Sequence, residues 1–283
     1  KGIIVLTKCD LVDEEFIELV KDDIREKTKR LFIEGAPIVE VDSVSRRGLD
    51  ELVQKIDEIS EDIEEKKTDA PSRMSIDRVF SLKGFGTIVT GTLIEGKISV
   101  DDEMTIYPSE KKVKVRNLQV HGCDVKTVYA GQRTAINLSN IKVSEIQRGD
   151  VIAQTGSVEE SMMIDVNISL VEHCKKSLKH WDRIRIFHGT KQILCRIVPL
   201  NEDEIQYGES GYAQLRLEEK IVAKKGDRFI IRSYSPMDTI GGGVIIDTAP
   251  KKHKIYDESV IEALKIKEKG ELKDILEEYL KLN

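Results

Sequence analysis

Hydrophobic and polar positions follow different periods in successive stretches of this 283-residue chain. Residues 3–6 form a continuous apolar run, as in a strand covered on both faces, and residues 14–29 then place apolar side chains at helical intervals. A second apolar run at 38–41 is followed by helical spacing from about 49 to 64. Because strand, loop and helix occur twice in this order, we predict an α/β unit whose ligands bind at the carboxyl ends of its strands.

The following stretches alternate apolar and polar residues over short segments that are separated by glycine, proline or aspartate turns. This pattern of short alternating strands and turns predicts a closed β-barrel. Because the pattern occurs in two successive regions, we expect two barrels. Helical spacing returns near the end of the chain, in 259–267 and 271–282. A charged helix end that runs into Pro71 marks the first boundary. The predicted domains are residues 1–70, 71–157, 158–250 and 251–283.

Composition narrows the class of protein. The chain is 40% hydrophobic and 34% charged, it contains no apolar run of the length that spans a bilayer, and it opens without a secretory signal. We therefore expect a cytoplasmic protein with no membrane partner. Four scattered cysteines predict reduced thiols, and His173, His180 and His188 lack the spacing of metal ligands, so no metal site is expected.

Charge is distributed unevenly. Residues 1–70 carry 12 basic and 20 acidic side chains, whereas residues 71–250 carry 25 basic and 23 acidic ones. Within the second region, residues 111–116 alternate basic and apolar side chains, which predicts one positive strand face. Two interpretations stay open for this face, namely a solvated surface or a contact with the phosphates of a nucleic acid. The chain also begins at Lys1, directly before a strand, so we expect it to be a fragment.

A glycine hairpin lies at the centre of the sequence pattern. Two β-branched runs flank Lys83-Gly84-Phe85-Gly86, which predicts a ribbon that doubles back through a tight turn. The string KGFGTIVTG, followed by GQR at 131–133 and RGD at 148–150, resembles the first β-barrel of translational GTPases. The strings GDRFIIR and TIGGGVI, at 226–232 and 239–245, are similar to the third domain of elongation-factor GTPases, where the glycines would allow a close turn ahead of a strand.

Within that group the chain resembles the selenocysteine-specific elongation factors, the SelB family. The residues that carry the resemblance are the T-K-x-D sequence at 7–10, the pair Asp77 and Arg78, and Arg133, together with the helical extension after the second barrel. The fold it implies is multidomain: the C-terminal part of an α/β P-loop GTPase domain, two elongation-factor-type β-barrels and the start of a winged-helix domain. A charged helical linker is the alternative for the last part.

The resemblance implies a guanine site at the end of the first two strands. In T-K-C-D, Asp10 would accept hydrogen bonds from the base, the aliphatic part of Lys8 would cover the ring, and Thr7 replaces the usual asparagine. The second loop, Asp42-Ser43-Val44, matches the element whose backbone N–H contacts the guanine oxygen, and the register of this match is open by one residue. The candidate guanine-binding residues are Thr7, Lys8, Asp10, Ser43 and Val44. An ordinary polar loop is the alternative.

The phosphate-binding part of a GTPase is missing from the sequence. Neither the G-x-x-x-x-G-K-[ST] loop nor a D-x-x-G sequence in the place expected for the γ-phosphate occurs in it. We expect GTP or GDP with Mg²⁺ in the intact protein, weak nucleotide binding by this chain, no GTP hydrolysis by it, and no catalytic residue within it.

The resemblance also implies an aminoacyl pocket that accepts selenocysteine and rejects serine. These side chains have similar shapes, but the selenol is ionised at cellular pH, so cations in a partly desolvated pocket can distinguish them. Arg78 and Arg133 would face the selenolate, since arginine stays protonated, and Asp77 would orient a guanidinium or bind the aminoacyl group. A structural ion pair between Asp77 and Arg133 is the alternative.

By this resemblance, the intact protein delivers selenocysteinyl-tRNA to the ribosome at recoded UGA codons in a GTP-dependent manner. It would act as a monomer and would read an mRNA hairpin through winged helices beyond the end of this chain. Two other functions remain as alternatives: a translational GTPase of another subfamily, or a non-enzymatic β-barrel module that binds RNA or protein.

Overall fold

A computed structural model describes residues 2–29, 31–61, 63, 66, 68–174 and 176–270. The chain divides into two compact units, 1–65 and 66–283. The second unit contains both predicted barrels, and each unit is described by itself. In the described part of the chain, no helix combines the length and the apolar character that are needed to cross a lipid bilayer.

The first unit is a two-stranded parallel sheet with two helices. Ile4 lies opposite Ile38 and Thr7 lies opposite Val41, so the loops after both strands leave the same edge of the sheet. The side chain of Asp13 caps the first helix by accepting a hydrogen bond from the Phe16 N–H at 2.9 Å. Both helices end a few residues earlier than the sequence pattern predicts. The elements are β1 (Ile4–Thr7), α1 (Glu14–Lys27), β2 (Ile38–Val41) and α2 (Leu49–Ser60).

The second unit begins with a closed six-stranded barrel, as predicted. Its strands follow the order β10-β4-β3-β11-β6-β7, and pairing between β10 and β7 closes the ring. The interior is filled by aliphatic side chains such as Ile76, Leu93 and Ile136, none of which has measurable exposure. The elements are β3 (Arg73–Leu82), β4 (Gly86–Glu95), β5 (Lys97–Ser99), β6 (Glu103–Tyr107), β7 (Lys111–Val120), β8 (Cys123–Val125), β9 (Thr127–Tyr129), β10 (Arg133–Ser139) and β11 (Val151–Gln154).

A second six-stranded barrel follows and closes in the order β12-β17-β15-β14-β18-β19. Its core is again aliphatic, with Ile168, Ile186 and Leu215 fully buried. The elements are β12 (Glu160–Leu170), β13 (Leu178–Lys179), β14 (Arg183–His188), β15 (Lys191–Pro199), β16 (Glu204–Ile205), β17 (Ser210–Val222), β18 (Arg228–Ser233) and β19 (Thr239–Asp247).

The glycine run of the second barrel corrects one expectation. Gly241, Gly242 and Gly243 lie inside strand β19 rather than in a turn ahead of a strand. A Cβ atom on Gly243 would lie 2.1 Å from the Asn167 carbonyl oxygen, and one on Gly241 would lie 2.2 Å from that of Ser169. The small residues are therefore needed because the neighbouring strand β12 approaches closely.

Helix α3 (Glu258–Lys269) packs on the second barrel, where a helix was predicted at 259–267. Leu264 is buried against Val198, Leu200 and Ile246. The Glu268 carboxylate, on the same helix, accepts hydrogen bonds from the Asn167 side chain at 2.7 Å and from the hydroxyl of Tyr212 at 2.6 Å. The helix predicted at 271–282 lies outside the described residues, so the winged-helix assignment stays a prediction.

Buried ion pairs join the two barrels. Arg73 of β3, which is only 3% exposed, donates to both carboxylate oxygens of Asp227, at 2.6 and 2.8 Å, and to Glu95 at 2.8 Å. The His188 ring also contacts Asp227, at 3.0 Å. Asp227 thereby connects two strand ends of the second barrel to the first strand of the first barrel.

Candidate functional site

Two of the three residues expected in the aminoacyl pocket, Asp77 and Arg78, lie at a β-bulge. Ile76 pairs with Gly91 and Arg78 pairs with Thr90, so Asp77 is an extra residue between two consecutive pairs of the β3–β4 ladder. Ile76 and Val79, on either side of the bulge, both pack into the core of the first barrel. The bulge therefore places two consecutive side chains, Asp77 and Arg78, on the outer surface.

The structure brings Asp77 and Arg133 together. Arg133 donates two hydrogen bonds to the carboxylate, one of them at 3.2 Å, and the Thr90 hydroxyl donates a third at 2.6 Å. Burial opposes ionisation of Asp77, but the hydrogen bonds from Arg133 and Thr90 outweigh it, so the pKa of Asp77 lies below its ordinary value. The ion pair left open as an alternative is thus present.

This ion pair leaves positive charge accessible at the surface. The side chain of Arg133 is 52% exposed although it is bonded to Asp77, and Arg78 is exposed beside the same carboxylate and also lowers its pKa. The carboxylate is therefore bonded to one guanidinium group and feels the charge of a second. We call Asp77, Arg78, Thr90 and Arg133 the bulge cluster. Its net charge of about +1 follows from the ordinary ionisation of these groups near pH 7.

A cleft of about 80 Å³ lies next to the bulge cluster on the outer surface of the barrel. Ala135 and Asn137 follow Arg133 at alternate positions of β10, and β7 places Gln119 and Asn117 opposite them. The walls are mostly apolar and the cross-strand neighbours supply side-chain amides. The lining residues are Leu82, Phe85, Ile88, Asn117, Gln119, Ala135 and Asn137.

Asn137 lines this cleft, and its side-chain oxygen is buried. The residue is 8% exposed, and its side-chain nitrogen donates to the Phe85 carbonyl oxygen at 2.8 Å, which fixes the amide orientation. Its Oδ1 atom has no hydrogen-bond partner among the described residues. The sequence did not identify Thr90 or Asn137, because only strand register places them beside the predicted residues. The glycine hairpin was the signal that could have directed attention to them.

The first candidate guanine loop follows β1 directly. Thr7 ends the strand, and Lys8 adopts a left-handed backbone conformation with φ of 63°, which turns the chain sharply. Cys9 is buried, with its thiol donating to the Leu6 carbonyl oxygen at 3.3 Å, whereas Thr7, Lys8 and Asp10 are exposed. The loop therefore presents its polar side chains to solvent at the carboxyl edge of the sheet.

The second candidate loop is held by Asp42, which is 4% exposed. Its carboxylate accepts hydrogen bonds from the Val44 N–H at 2.8 Å and the Ser45 N–H at 2.9 Å, and hydrogen bonds from Ser45 and Val44 lower its pKa. The N–H of Val44 is thus occupied within the loop. The N–H of Ser43 has no partner among the described residues, which makes it the better candidate donor to a ligand.

Arginines cover one outer surface of the second barrel, a feature that sequence analysis missed. Arg183 lies opposite Arg196, which in turn lies opposite Arg216, and Arg185 lies opposite Arg232. Like charges in directly opposed positions destabilise a sheet unless an anion compensates them. We call these five residues the arginine face.

An exposed aromatic ring lies within the arginine face. The guanidinium carbons of Arg183 and Arg185 lie 4.8 and 5.3 Å from the ring centroid of Tyr234. Glu218 accepts two hydrogen bonds from Arg183, at 2.7 and 2.6 Å, and so compensates part of the charge. The signal that could have found this surface is the alternation in 183–186, where arginine and isoleucine alternate.

The histidines do not form a metal site in the described structure. Among the residues that the structure describes, no group of three His, Cys, Asp or Glu side chains is arranged to hold a metal ion. His188 contacts Asp227 as given above, and His180 is exposed beside Trp181, with ring centroids 5.7 Å apart.

Two family models match the barrels. The model for elongation factor Tu domain 2 matches residues 86–153, and the model for the β-barrel domain of the selenocysteine-specific elongation factor matches residues 165–252. The first match contains Thr90 and Arg133 of the bulge cluster and most of the cleft lining, and the second contains the arginine face.

Similar proteins extend the match to most of the chain. A selenocysteine-specific elongation factor of Desulfomicrobium baculatum is 38% identical over 251 residues, which are 89% of this chain and 40% of that protein. One from Methanocaldococcus jannaschii is 27% identical over 91% of this chain and 62% of its own length. The chain thus spans about 40% to 62% of these relatives.

Solved structures agree with the sequence matches. A crystal structure of a bacterial selenocysteine-specific elongation factor, EF-Sec, superposes with a TM-score of 0.82 and 26% identity, covering 98% of this chain and 44% of that one. The elongation factor SelB of Methanococcus maripaludis, in complex with the GTP analogue GppNHp, superposes with a TM-score of 0.77 and 25% identity, covering 88% of this chain and 59% of that one.

Proposed function

The chain is homologous to the selenocysteine-specific elongation factors, and from that premise we propose that it is the part of such a factor that holds the charged end of selenocysteinyl-tRNA. The full-length protein would deliver this tRNA to the ribosome at recoded UGA codons while bound to GTP. The observation that carries the proposal is the bulge cluster, in which Arg133 is bonded to the Asp77 carboxylate beside the exposed Arg78 on the outer surface of the first barrel.

The charge of the bulge cluster suits selenocysteine better than serine. Arg133 is bonded to Asp77 on one side and half-exposed on the other, so its remaining N–H groups can donate to an anion. The ion pair also fixes the direction of the guanidinium, because a bidentate contact restricts the planar group. A selenolate gains a charge-assisted contact there, whereas the serine hydroxyl offers no charge. Asp77 would thus act as the residue that orients Arg133.

The neighbouring cleft suits the terminal nucleotide of the tRNA. The aminoacyl group is esterified to the ribose of the last nucleotide, so the base must lie close to the group that the bulge cluster binds. The cleft next to the cluster has apolar walls for the faces of a base, and the side-chain amides in its lining can form hydrogen bonds with the polar edge of the base. The two features are adjacent on one barrel surface, as a single aminoacylated nucleotide requires.

The arginine face supports an RNA partner for the second barrel. Its cross-strand arginines are half-buried and close together, which favours binding of several phosphates over binding of one small anion. Tyr234 adds an exposed aromatic ring next to two of the guanidinium groups. We assign this surface to the backbone of the tRNA body, while the first barrel holds its charged end.

The first unit fits the guanine end of GTP. Because Thr7 and Val41 lie opposite each other, the two candidate loops begin side by side, with an exposed carboxylate at Asp10 and an N–H at Ser43 that has no partner in the described part of the chain. Those are an acceptor for the donors of guanine and a donor for its oxygen. The phosphates and Mg²⁺ would be held by parts of the protein that this sequence does not contain.

Changing Asp10 tests the guanine assignment. In the full-length protein, Asp10→Asn is expected to weaken GTP binding by about tenfold or more, because a carboxylate that accepts two hydrogen bonds becomes an amide with a donor facing the base. Equilibrium titration with a fluorescent GTP analogue measures the effect. Asp22→Asn, which changes an exposed carboxylate on α1, is the matched control and should leave affinity unchanged. Wild-type affinity in Asp10→Asn would contradict the assignment.

Equilibrium binding of two charged forms of one tRNA tests the proposed function. The full-length protein, loaded with a non-hydrolysable GTP analogue, is titrated with selenocysteinyl-tRNA and with seryl-tRNA that share the same tRNA body. We expect a clear preference for the selenocysteinyl form. Equal affinities would reject the proposal and would favour a translational GTPase of another subfamily, since the tRNA body and the nucleotide are the same in both titrations.

A further inference from the structure

The bulge that carries Asp77 is held from outside its own strand pair. A bulged residue lies outside the regular ladder, so the neighbouring strand β4 gives its backbone little support. Ile76, the residue before it, donates its N–H to the Asp150 carbonyl oxygen at 2.8 Å, and its own carbonyl oxygen accepts from the Gly149 N–H at 2.9 Å. These contacts come from the loop that contains the RGD string at 148–150.

The second barrel supplies another hydrogen bond to the same carbonyl oxygen. Strands β14 and β15 are joined by a two-residue turn, Gly189-Thr190, and the Thr190 hydroxyl donates to the Ile76 carbonyl oxygen at 2.6 Å. The peptide group is planar, so the orientation of this carbonyl also fixes the N and Cα atoms of Asp77. The Thr190 hydroxyl of the second barrel therefore helps to fix the backbone from which the Asp77 side chain of the first barrel extends.

The turn fits closely against the first barrel. A Cβ atom on Gly189, whose φ is +54°, would lie 2.7 Å from the Ser75 hydroxyl oxygen. A Cβ atom on Gly149 would lie 2.8 Å from the Cβ of Lys191. Glycine is thus required on both sides of this contact, which gives a physical role to the glycine of the RGD string. Larger side chains there would push the turn away from Ile76.

We propose that the Gly189-Thr190 turn of the second barrel positions the bulge cluster, and that Thr190 is a positioning residue for discrimination between aminoacyl groups. The inference rests on the proposed function of the bulge cluster. Arg73, three residues before Ile76, forms an ion pair with Asp227 of the second barrel. The second barrel therefore contacts β3 at two points just before Asp77. The barrel that carries the arginine face thereby also sets the geometry of the aminoacyl site.

The test compares Thr190→Val, which has nearly the same shape but no hydroxyl, with Thr190→Ser, which keeps the hydroxyl. In the full-length protein with a bound GTP analogue, Thr190→Val is expected to lower the preference for selenocysteinyl-tRNA over seryl-tRNA by about three- to tenfold, the worth of one hydrogen bond. Thr190→Ser should keep most of the wild-type preference. Affinity for the uncharged tRNA should be the same in all three proteins.

Thr105→Val is the matched control, because it removes a threonine hydroxyl from β6 of the first barrel, away from the bulge, where that hydroxyl pairs with Thr155 at 2.9 Å. It should leave the preference unchanged. A wild-type preference in Thr190→Val, or an equal loss in Thr105→Val, would overturn the inference. If the wild-type protein itself shows no preference, the proposed function fails instead.

A second measurement is independent of tRNA. Carbon-detected NMR of the Asp77 carboxyl should give a pKa below the ordinary aspartate value in the wild-type protein, because Arg133 and Thr90 donate to it. In Thr190→Val that pKa should move towards the ordinary value, since displacement of the bulge lengthens those hydrogen bonds. An unchanged titration curve in a variant that keeps the wild-type melting temperature would also overturn the inference.

Discussion

Arg133→Ala is expected to lower the preference of the full-length, GTP-bound protein for selenocysteinyl-tRNA over seryl-tRNA by about 10- to 100-fold. A hydrogen bond between charged groups is worth about 1.5–3 kcal/mol, and every 1.4 kcal/mol changes an equilibrium constant about tenfold. The serine hydroxyl is uncharged and forms no charge-assisted bond of this kind, so the affinity for seryl-tRNA should change little. The mutation should therefore lower the ratio of the two affinities. The measurement is the pair of equilibrium titrations that use one tRNA body with two aminoacyl groups.

Two comparison variants separate this effect from general loss of charge. Arg116→Ala removes an exposed arginine from β7 of the same barrel. We expect it to lower the affinities for both aminoacylated tRNAs equally or not at all. Arg133→Lys keeps the charge but loses the bidentate contact with Asp77, so it should restore only part of the preference. If Arg133→Ala and Arg116→Ala show the same ratio of affinities for selenocysteinyl-tRNA and seryl-tRNA, Arg133 has a purely structural role.

The sequence predicted the elements of this site better than their arrangement. The glycines at 84 and 86 and the β-branched runs beside them predict the β3–β4 hairpin, because turn chemistry and strand preference are local. The bulge at Asp77, in contrast, is not determined by the residues next to it in the sequence. Whether Asp77 and Arg78 both point outward depends on Ile76 and Val79 both facing the core, which is decided by pairing with β4.

Contacts between distant residues explain what else could not be predicted. Asp227 lies 154 residues after its partner Arg73, and the Thr190 hydroxyl bonds a carbonyl 114 residues before it. Periodicity reports only which face of a strand is buried, and it contains no information about which barrel surfaces meet. For the same reason the arginine face was missed, since its charges come from four separate strands.

In the guanine site, one structural detail changes the roles of the predicted residues. The sequence placed both Ser43 and Val44 near the guanine oxygen. Because Asp42 is buried and accepts the Val44 N–H, only the Ser43 N–H is left as a free donor there among the described residues. The Asp42 carboxylate thus keeps the loop shape by accepting backbone hydrogen bonds itself.

Asp227→Ala is expected to lower the free energy of unfolding by about 3–5 kcal/mol at pH 7, the usual cost of leaving one charge of a buried pair unpaired. The charge left behind is that of Arg73, which is 3% exposed and would keep Glu95 as its partner. Urea unfolding followed by the fluorescence of Trp181, the single tryptophan, reports on the second barrel directly. Asp238→Ala, at an exposed position of the same barrel, is the matched control and should change stability by less than about 0.5 kcal/mol.

The pH dependence of this difference tests its electrostatic origin. Burial opposes ionisation of Asp227, but hydrogen bonds from Arg73 and His188 outweigh it and lower its pKa. A lowered pKa in the folded state gives stability that is complete above the ordinary aspartate pKa of about 3.9 and is lost as the pH falls through the lower folded value. The difference between wild type and Asp227→Ala should therefore be constant from pH 5 to 7 and shrink only below about pH 4. A difference that persists undiminished at about pH 2 would mean that packing, rather than the ion pair, joins the two barrels, because a lowered folded-state pKa contributes less stability once the pH is below the ordinary aspartate pKa.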